Sequence, residues 1–176
     1  IEGGWPGASP KEEEFFSKAK EELDLKNSKL VSFGSTRKLN IAVEDDPQVK
    51  ALIDSGTDYV CIVGKSSKLH ISKALQTDVS NAIDMAVDTI KYLKSKNKKV
   101  FFDAEHFFDG YKEDSKTSLE ILDAVVKSGA DCFIFCDTNG GTLPDEVHMI
   151  LSQVLDQYPK TKFGVHFQND NGCAVA

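Results

Sequence analysis

The chain has 176 residues, 40% of them hydrophobic and 28% charged, the make-up of one folded domain or part of one, which excludes a disordered segment. A formal charge of −7 argues against a nucleic-acid-binding surface, and no apolar run is long enough to span a membrane. The cysteines Cys61, Cys132, Cys136 and Cys173 show neither a CxxC nor a zinc-finger spacing, and three of them sit in or beside apolar runs, which reads as buried free thiols in a reducing compartment.

In chain order, Glu2 to Gly7 (EGGWPG) reads as a strand end passing into a tight turn. Ser9-Pro10-Lys11-Glu12 follows as a capping box with Pro at the first helical position, and Phe15, Phe16, Ala19 and Leu23 continue at helical spacing. Leu30 to Phe33 is a short strand running into Gly34-Ser35-Thr36-Arg37. Asp46-Pro47 caps a second helix that stops at Gly56, and Tyr59 to Val63 is a third strand leading to Gly64-Lys65-Ser66. Thr77 opens a longer helix, whose last turn gathers lysines where the helix dipole favours cations. The strand Val100 to Phe102 comes next, and Thr117-Ser118-Leu119-Glu120 is a second capping box leading a helix to Gly129. Cys132 to Cys136 is an apolar strand ending in Asp137-Thr138-Asn139-Gly140-Gly141, Thr142 and Pro144 start a last helix, and Phe163 to Phe167 is the final strand.

The pattern is six strands with five intervening helices, the strands continuously apolar as in a parallel sheet covered on both faces. The junction Asp54-Ser55-Gly56-Thr57-Asp58-Tyr59-Val60 is echoed by Lys127-Ser128-Gly129-Ala130-Asp131-Cys132-Phe133, so a β-α unit recurs. A doubly wound sheet fits the strand count too, but EGGWPG lacks the GxGxxG turn that such sheets often carry. Nearly every strand instead ends in polar residues: Glu2, Arg37, Lys65, Glu105, Asp137-Thr138 and His166. A ring of such ends predicts a (β/α)8 TIM barrel, and at roughly 31 residues per unit the chain holds only part of one.

The chemistry is densest at Val100 to Gly110 (VFFDAEHFFDG), where Asp103, Glu105, His106 and Asp109 follow an apolar strand core. Glu105 and His106 are the acid/base candidates, although alternation sends them to opposite faces unless the chain bends. His166 and Gln168 share a strand face; a metal pair that suits Mg²⁺ or Mn²⁺ better than Zn²⁺ and a lone hydrogen-bonded histidine both fit. Asp137-Thr138 reads as a hydroxyl presented to a ligand or as a turn with its cap. Lys65 and Lys68 are candidates to meet an anion, solvated lysines being the commoner case, and Gly64-Lys65-Ser66 lacks the upstream glycine of a phosphate loop.

IEGGWPG, FGSTR, DAEHFFDGY, CDTNGGTLP and HFQND, in this order and spread over the whole chain, resemble the isopropylmalate, homocitrate and citramalate synthase family, most specifically its citramalate branch, with acyl-CoA lyases as relations. The resemblance implies a TIM barrel with a divalent metal (Mg, Mn or Zn) at its C-terminal face. It implies condensation of acetyl-CoA with pyruvate to give citramalate and CoA, in the supply of isoleucine. On the family's motifs, His166 matches the first histidine of HxHND and Gln168 replaces the second. Glu105 matches the acidic residue near the reacting carbons, with His106 beside it, and Thr138 matches the threonine that meets the oxoacid. Arg37 and Glu2 match polar residues of the same mouth.

The family's first strand, with its Arg-Asp pair, and its last strand have no counterpart here, so residues 1–176 are expected to be a partial catalytic barrel domain, strands two to seven, inactive by itself. The full-length protein is expected to be a soluble intracellular homodimer, cytoplasmic or in an organelle, taking a 2-oxoacid and acetyl-CoA and neither nucleic acid nor membrane. The alternatives are a lyase of the same fold and, because of Gln168, a degenerate barrel that only binds.

Overall fold

The computed structural model describes residues 1–176, in which strands and helices alternate. The elements are β1 (Glu2–Gly4), α1 (Pro10–Glu22), β2 (Val31–Ser35), α2 (Pro47–Asp54), β3 (Tyr59–Lys65), α3 (Lys68–Lys73) and α4 (Val79–Ser95). They continue with β4 (Lys99–Glu105), α5 (Phe107–Lys127), β5 (Cys132–Asp137), α6 (Pro144–Leu155) and β6 (Phe163–Phe167). No helix is long and apolar enough to cross a membrane.

All six strands are parallel, and each pairs only with its neighbours in sequence, in the order β1-β2-β3-β4-β5-β6. A doubly wound sheet reverses its order at a switch point, and this one does not. One face, carrying Val60, Ile62, Val100, Phe102, Phe133 and Phe135, packs in the main core with Leu52 of α2, Ile90 of α4 and Leu122 of α5. The other face carries Cys61, Asp103 and Cys136, all buried. On that face His166 of β6 reaches Asp103 of β4 at 3.3 Å across the intervening β5. Side chains two strands apart on a flat sheet start about 9–10 Å from each other, so the sheet curls into an arc with this face inward. The fold is thus part of a (β/α)8 barrel.

Local signals explain most helix starts. Ser9 Oγ accepts from the Glu12 amide at 3.3 Å, and Pro10 opens α1. Asp46 is buried and accepts from the amides of Gln48 (2.8 Å) and Val49 (3.3 Å) and from that of Lys38 (2.7 Å), so one carboxylate caps α2 and ties down the preceding loop. Gly56 and Gly129, the glycines of the repeated junction, end their helices at φ of +74° and +94°, a conformation that costs a side-chain-bearing residue energy.

Four details depart from the sequence reading. Six helices are present rather than five, because α3 fills the connection after β3. The cap of α4 is Asp78, accepting from the Asn81 amide at 2.8 Å, rather than Thr77. Thr142 does not cap α6, since both its amide and its hydroxyl donate to Asp137, each at 3.0 Å. The largest difference is α5, which begins at Phe107 and not at Thr117. Its interior is interrupted at Asp114, whose carboxylate accepts from the Thr117 hydroxyl at 2.9 Å, so the capping signal marks the restart of the helix after a kink.

The early start of α5 follows from His106, which takes a left-handed conformation at φ 58° and turns the chain sharply out of β4. The turn lets both following rings bury completely, with Phe107 edge-on to Phe135 at 4.7 Å and Phe108 against Phe167 at 5.8 Å.

Candidate active site

Asp103 lies at the centre of the arc. Its side chain accepts from the Cys61 thiol through Oδ1 and meets His166 Nδ1 through Oδ2, both at 3.3 Å. Cys136, opposite His166 in the β5–β6 register, completes a group in which the ligand atoms of Asp103, Cys136 and His166 lie within 4.8 Å of one another. Burial, and after it the Asp103 carboxylate, pushes the thiols of Cys61 and Cys136 far up from their ordinary range, so both are neutral at physiological pH. Asp103 and both thiols are buried, while His166 is half-exposed and forms the open side of the group.

One layer nearer the strand ends, Glu105 pairs with Lys65, its partner in the β3–β4 register. A cleft of about 490 Å³ opens beside the pair, with Trp5, Phe33, Val63, Leu75 and Met85 in its wall and Lys65 and Glu105 at its polar edge. The chain's bend at His106 brings that ring onto α3. It stacks on His70 at 3.7 Å with the planes 6° apart, and its Nδ1 lies 3.1 Å from the Asp109 carboxylate, which also accepts from Asn139 at 2.7 Å. Burial, and after it the neighbouring His106, pushes the His70 imidazole below its ordinary range. Thr138 Oγ1 accepts from the His106 amide at 2.9 Å, so the end of β5 is latched to the turn after β4.

The chemistry-bearing ends of β3, β4, β5 and β6 therefore meet at one rim. An HMGL-like family model matches residues 1–176. The chain belongs to the HMGL-like family. Over its whole length it is 48% identical to the (R)-citramalate synthase of Aquifex aeolicus and 28% identical to the homocitrate synthase of Sulfolobus acidocaldarius. It spans about a third of the length of these relatives, 33% of the first and 36% of the second. Among solved structures, the hydroxymethylglutaryl-CoA lyase of Pseudomonas aeruginosa superposes with a TM-score of 0.73 over 99% of this chain and 57% of that one, at 15% identity, which supports the barrel fold.

The expected site residues divide in this HMGL-like arc. Glu105 and His166 sit on its inner side, and the charge of Glu2 is felt by the Cys61 and Cys136 thiols on that same side. His106 and Thr138 are joined by the latch at the rim. Arg37 is turned aside: its guanidinium pairs with Asp88 of α4 at 2.8 and 3.0 Å and donates to the carbonyls of Lys38 and Ile41. Gln168 lies one residue past β6, its amide donating to the Asp137 carbonyl at 3.3 Å, and it borders a second cleft lined by His148 and Leu151 of α6.

The sequence marks Lys65 as a strand-end candidate to meet an anion and Asp103 as one of a dense group of ionisable residues, but it pairs neither with its partner, and nothing in it marks His70. Both roles depend on register, since Cys61 is 42 residues from Asp103, His166 is 63, and Lys65 is 40 from Glu105. The available signal was charge: Asp103 and Glu105 are two apart on one strand, so both had to face one way.

Proposed function

We propose that this chain is the catalytic-barrel portion of an acyltransferase that condenses acetyl-CoA with pyruvate to give citramalate and CoA. The observation that carries the reading is the meeting of Asp103, Glu105 and His166 on the inner face of the arc, in a chain that aligns throughout with a citramalate synthase. The likeness to lyases is one of fold at low identity, and it gives the cleavage reaction less support.

The group of Asp103, Cys136 and His166, with ligand atoms within 4.8 Å of one another, suits a divalent cation, with His166 as the holder on the open side, Asp103 behind it and Gln168 as a further oxygen donor from beyond the strand. Such an ion supplies Lewis-acid polarisation of a 2-oxoacid carbonyl. Glu105 takes the proton from the acetyl methyl, and Lys65 beside it holds the carboxylate at the edge of the cleft. The apolar wall of that cleft receives the small acyl group and keeps water from the reacting carbons. The Thr138 hydroxyl keeps its proton free to donate to the oxoacid, because its oxygen already accepts from His106. His106 holds the rim through Thr138 and Asp109, and Glu2 adds negative charge on the inner side, while Arg37 stays paired with Asp88.

The test is CoA release by the full-length protein, followed with a thiol reagent. Release that depends on pyruvate, and falls by about 10²–10⁴-fold in Glu105→Gln, is expected. Release that ignores the 2-oxoacid, or a Glu105→Gln variant at the parental rate, overturns the assignment.

A further inference from the structure

We propose that Asp103 is a positioning residue: it holds His166 as the Nδ1–H tautomer and so presents the Nε2 lone pair to the mouth of the arc. The inference deepens the cation-site reading above and rests on it for its consequence, although not for its geometry.

A buried carboxylate requires donors. Asp103 is 4% exposed, and the structure gives it two: the Cys61 thiol on Oδ1 and His166 Nδ1 on Oδ2, both at 3.3 Å. A thiol is a weak donor, and Cys136, the other sulfur nearby, is turned to the Ile134 carbonyl at 3.7 Å. The imidazole N–H is the strong donor available, and the carboxylate cannot offer one in return while ionised. A proton on Nδ1 satisfies Asp103; a proton on Nε2 would leave two lone pairs facing each other at 3.3 Å. The ring is 52% exposed, so with its Nδ1 edge on the buried carboxylate the opposite edge faces outwards.

The sequence raises what this hold is worth. Gln168, the other ligand candidate of the pair, offers only an amide oxygen, so the His166 imidazole is its one nitrogen donor. An acceptor behind a ligating histidine fixes its orientation and raises its basicity, and losing one typically weakens metal binding by about 10–100-fold. Asp103 therefore acts on the one nitrogen donor the pair has.

The test uses full-length protein labelled with ¹⁵N-histidine, the His166 resonances being assigned by their loss in His166→Gln. Without added metal, the two-bond ¹⁵N–¹H pattern of His166 is expected to show the proton on Nδ1. Asp103→Ala should abolish that preference, and Asp103→Asn, whose amide oxygen still accepts, should keep it. Titration with Co²⁺ should give an affinity about 10–100-fold lower in Asp103→Ala, a smaller loss in Asp103→Asn, and no loss in Cys61→Ala, which removes the other partner of the carboxylate. Circular dichroism confirms that each variant is folded, and the near-isosteric Asn variant carries the comparison if the Ala variant does not fold. An Nε2–H His166 in the parent protein, or a tautomer indifferent to Asp103, overturns the proposal. A tautomer that follows Asp103 while Co²⁺ affinity ignores His166 upholds the positioning and refutes the cation reading instead.

Discussion

Gly110→Ala measures how tightly the first turn of α5 is seated. Gly110 is buried, and a Cβ there would stand 2.5 Å from the Ser66 carbonyl oxygen and 2.8 Å from Ser67 Cα, against an ordinary contact of at least 3.4 Å. Both neighbours are backbone, so neither swings aside as a side chain would. Ser66 is further fixed because its carbonyl accepts from the Ser118 hydroxyl at 3.0 Å. Helix propensity alone would favour alanine by about 1 kcal/mol. Overpacking against rigid neighbours costs about 1–3 kcal/mol, and the depth of this clash places it towards the upper end. The net expectation is a loss of about 2 kcal/mol, read as a lower urea midpoint for the full-length protein. Amide exchange should also quicken in the first turn of α5, where Gly110 N donates to the His106 carbonyl at 2.9 Å. Gly141→Ala is the control, because nothing lies within 4 Å of its Cβ position, and it should leave the midpoint unchanged. An equal or higher midpoint in Gly110→Ala would refute the packing argument.

Two further outcomes follow from the titratable groups. His70 is held below its ordinary range, so the unfolded chain takes up that proton first as pH falls. Its contribution to stability is complete above about pH 6.5 and declines below that, levelling off once the folded protein is protonated as well. Stability measured from about pH 7 to about pH 5 should therefore fall less in His70→Gln than in the parent, and parallel curves would disprove the assignment. Cys61 and Cys136, buried and with thiols pushed far up, should resist iodoacetamide in the native protein and react after denaturation. Mass spectrometry showing native Cys61 alkylated as fast as Cys173 would contradict that burial.

The barrel-type winding could be read from residues because each unit carries its own punctuation: Ser9-Pro10, Asp46-Pro47, and the glycines at 56 and 129 are local signals with local causes. What escaped was either unmarked or long-range. Helix α3 has six residues and no side-chain cap from Ser67, so nothing announces it. Helix α5 is announced in the wrong place, because its true start depends on a left-handed His106 whose cost is met by burying Phe107 and Phe108 elsewhere in the core. Glu105 and His166 stood out as ionisable groups at strand ends, whereas the partners that give them a site, Lys65 and Asp103, become visible only once register is known. Arg37 illustrates the reverse: its position suggested the mouth, but Asp88, 51 residues away, claims its guanidinium.

Because every strand lies against the one synthesised just before it, the arc is suited to being laid down in the direction of translation. Within the arc each newly emerged strand finds a ready template, without the delay that distant pairing imposes on folds with interleaved strand order. The rim chemistry is then assembled in the same direction: the Lys65 side is in place before β6 brings His166 to Asp103.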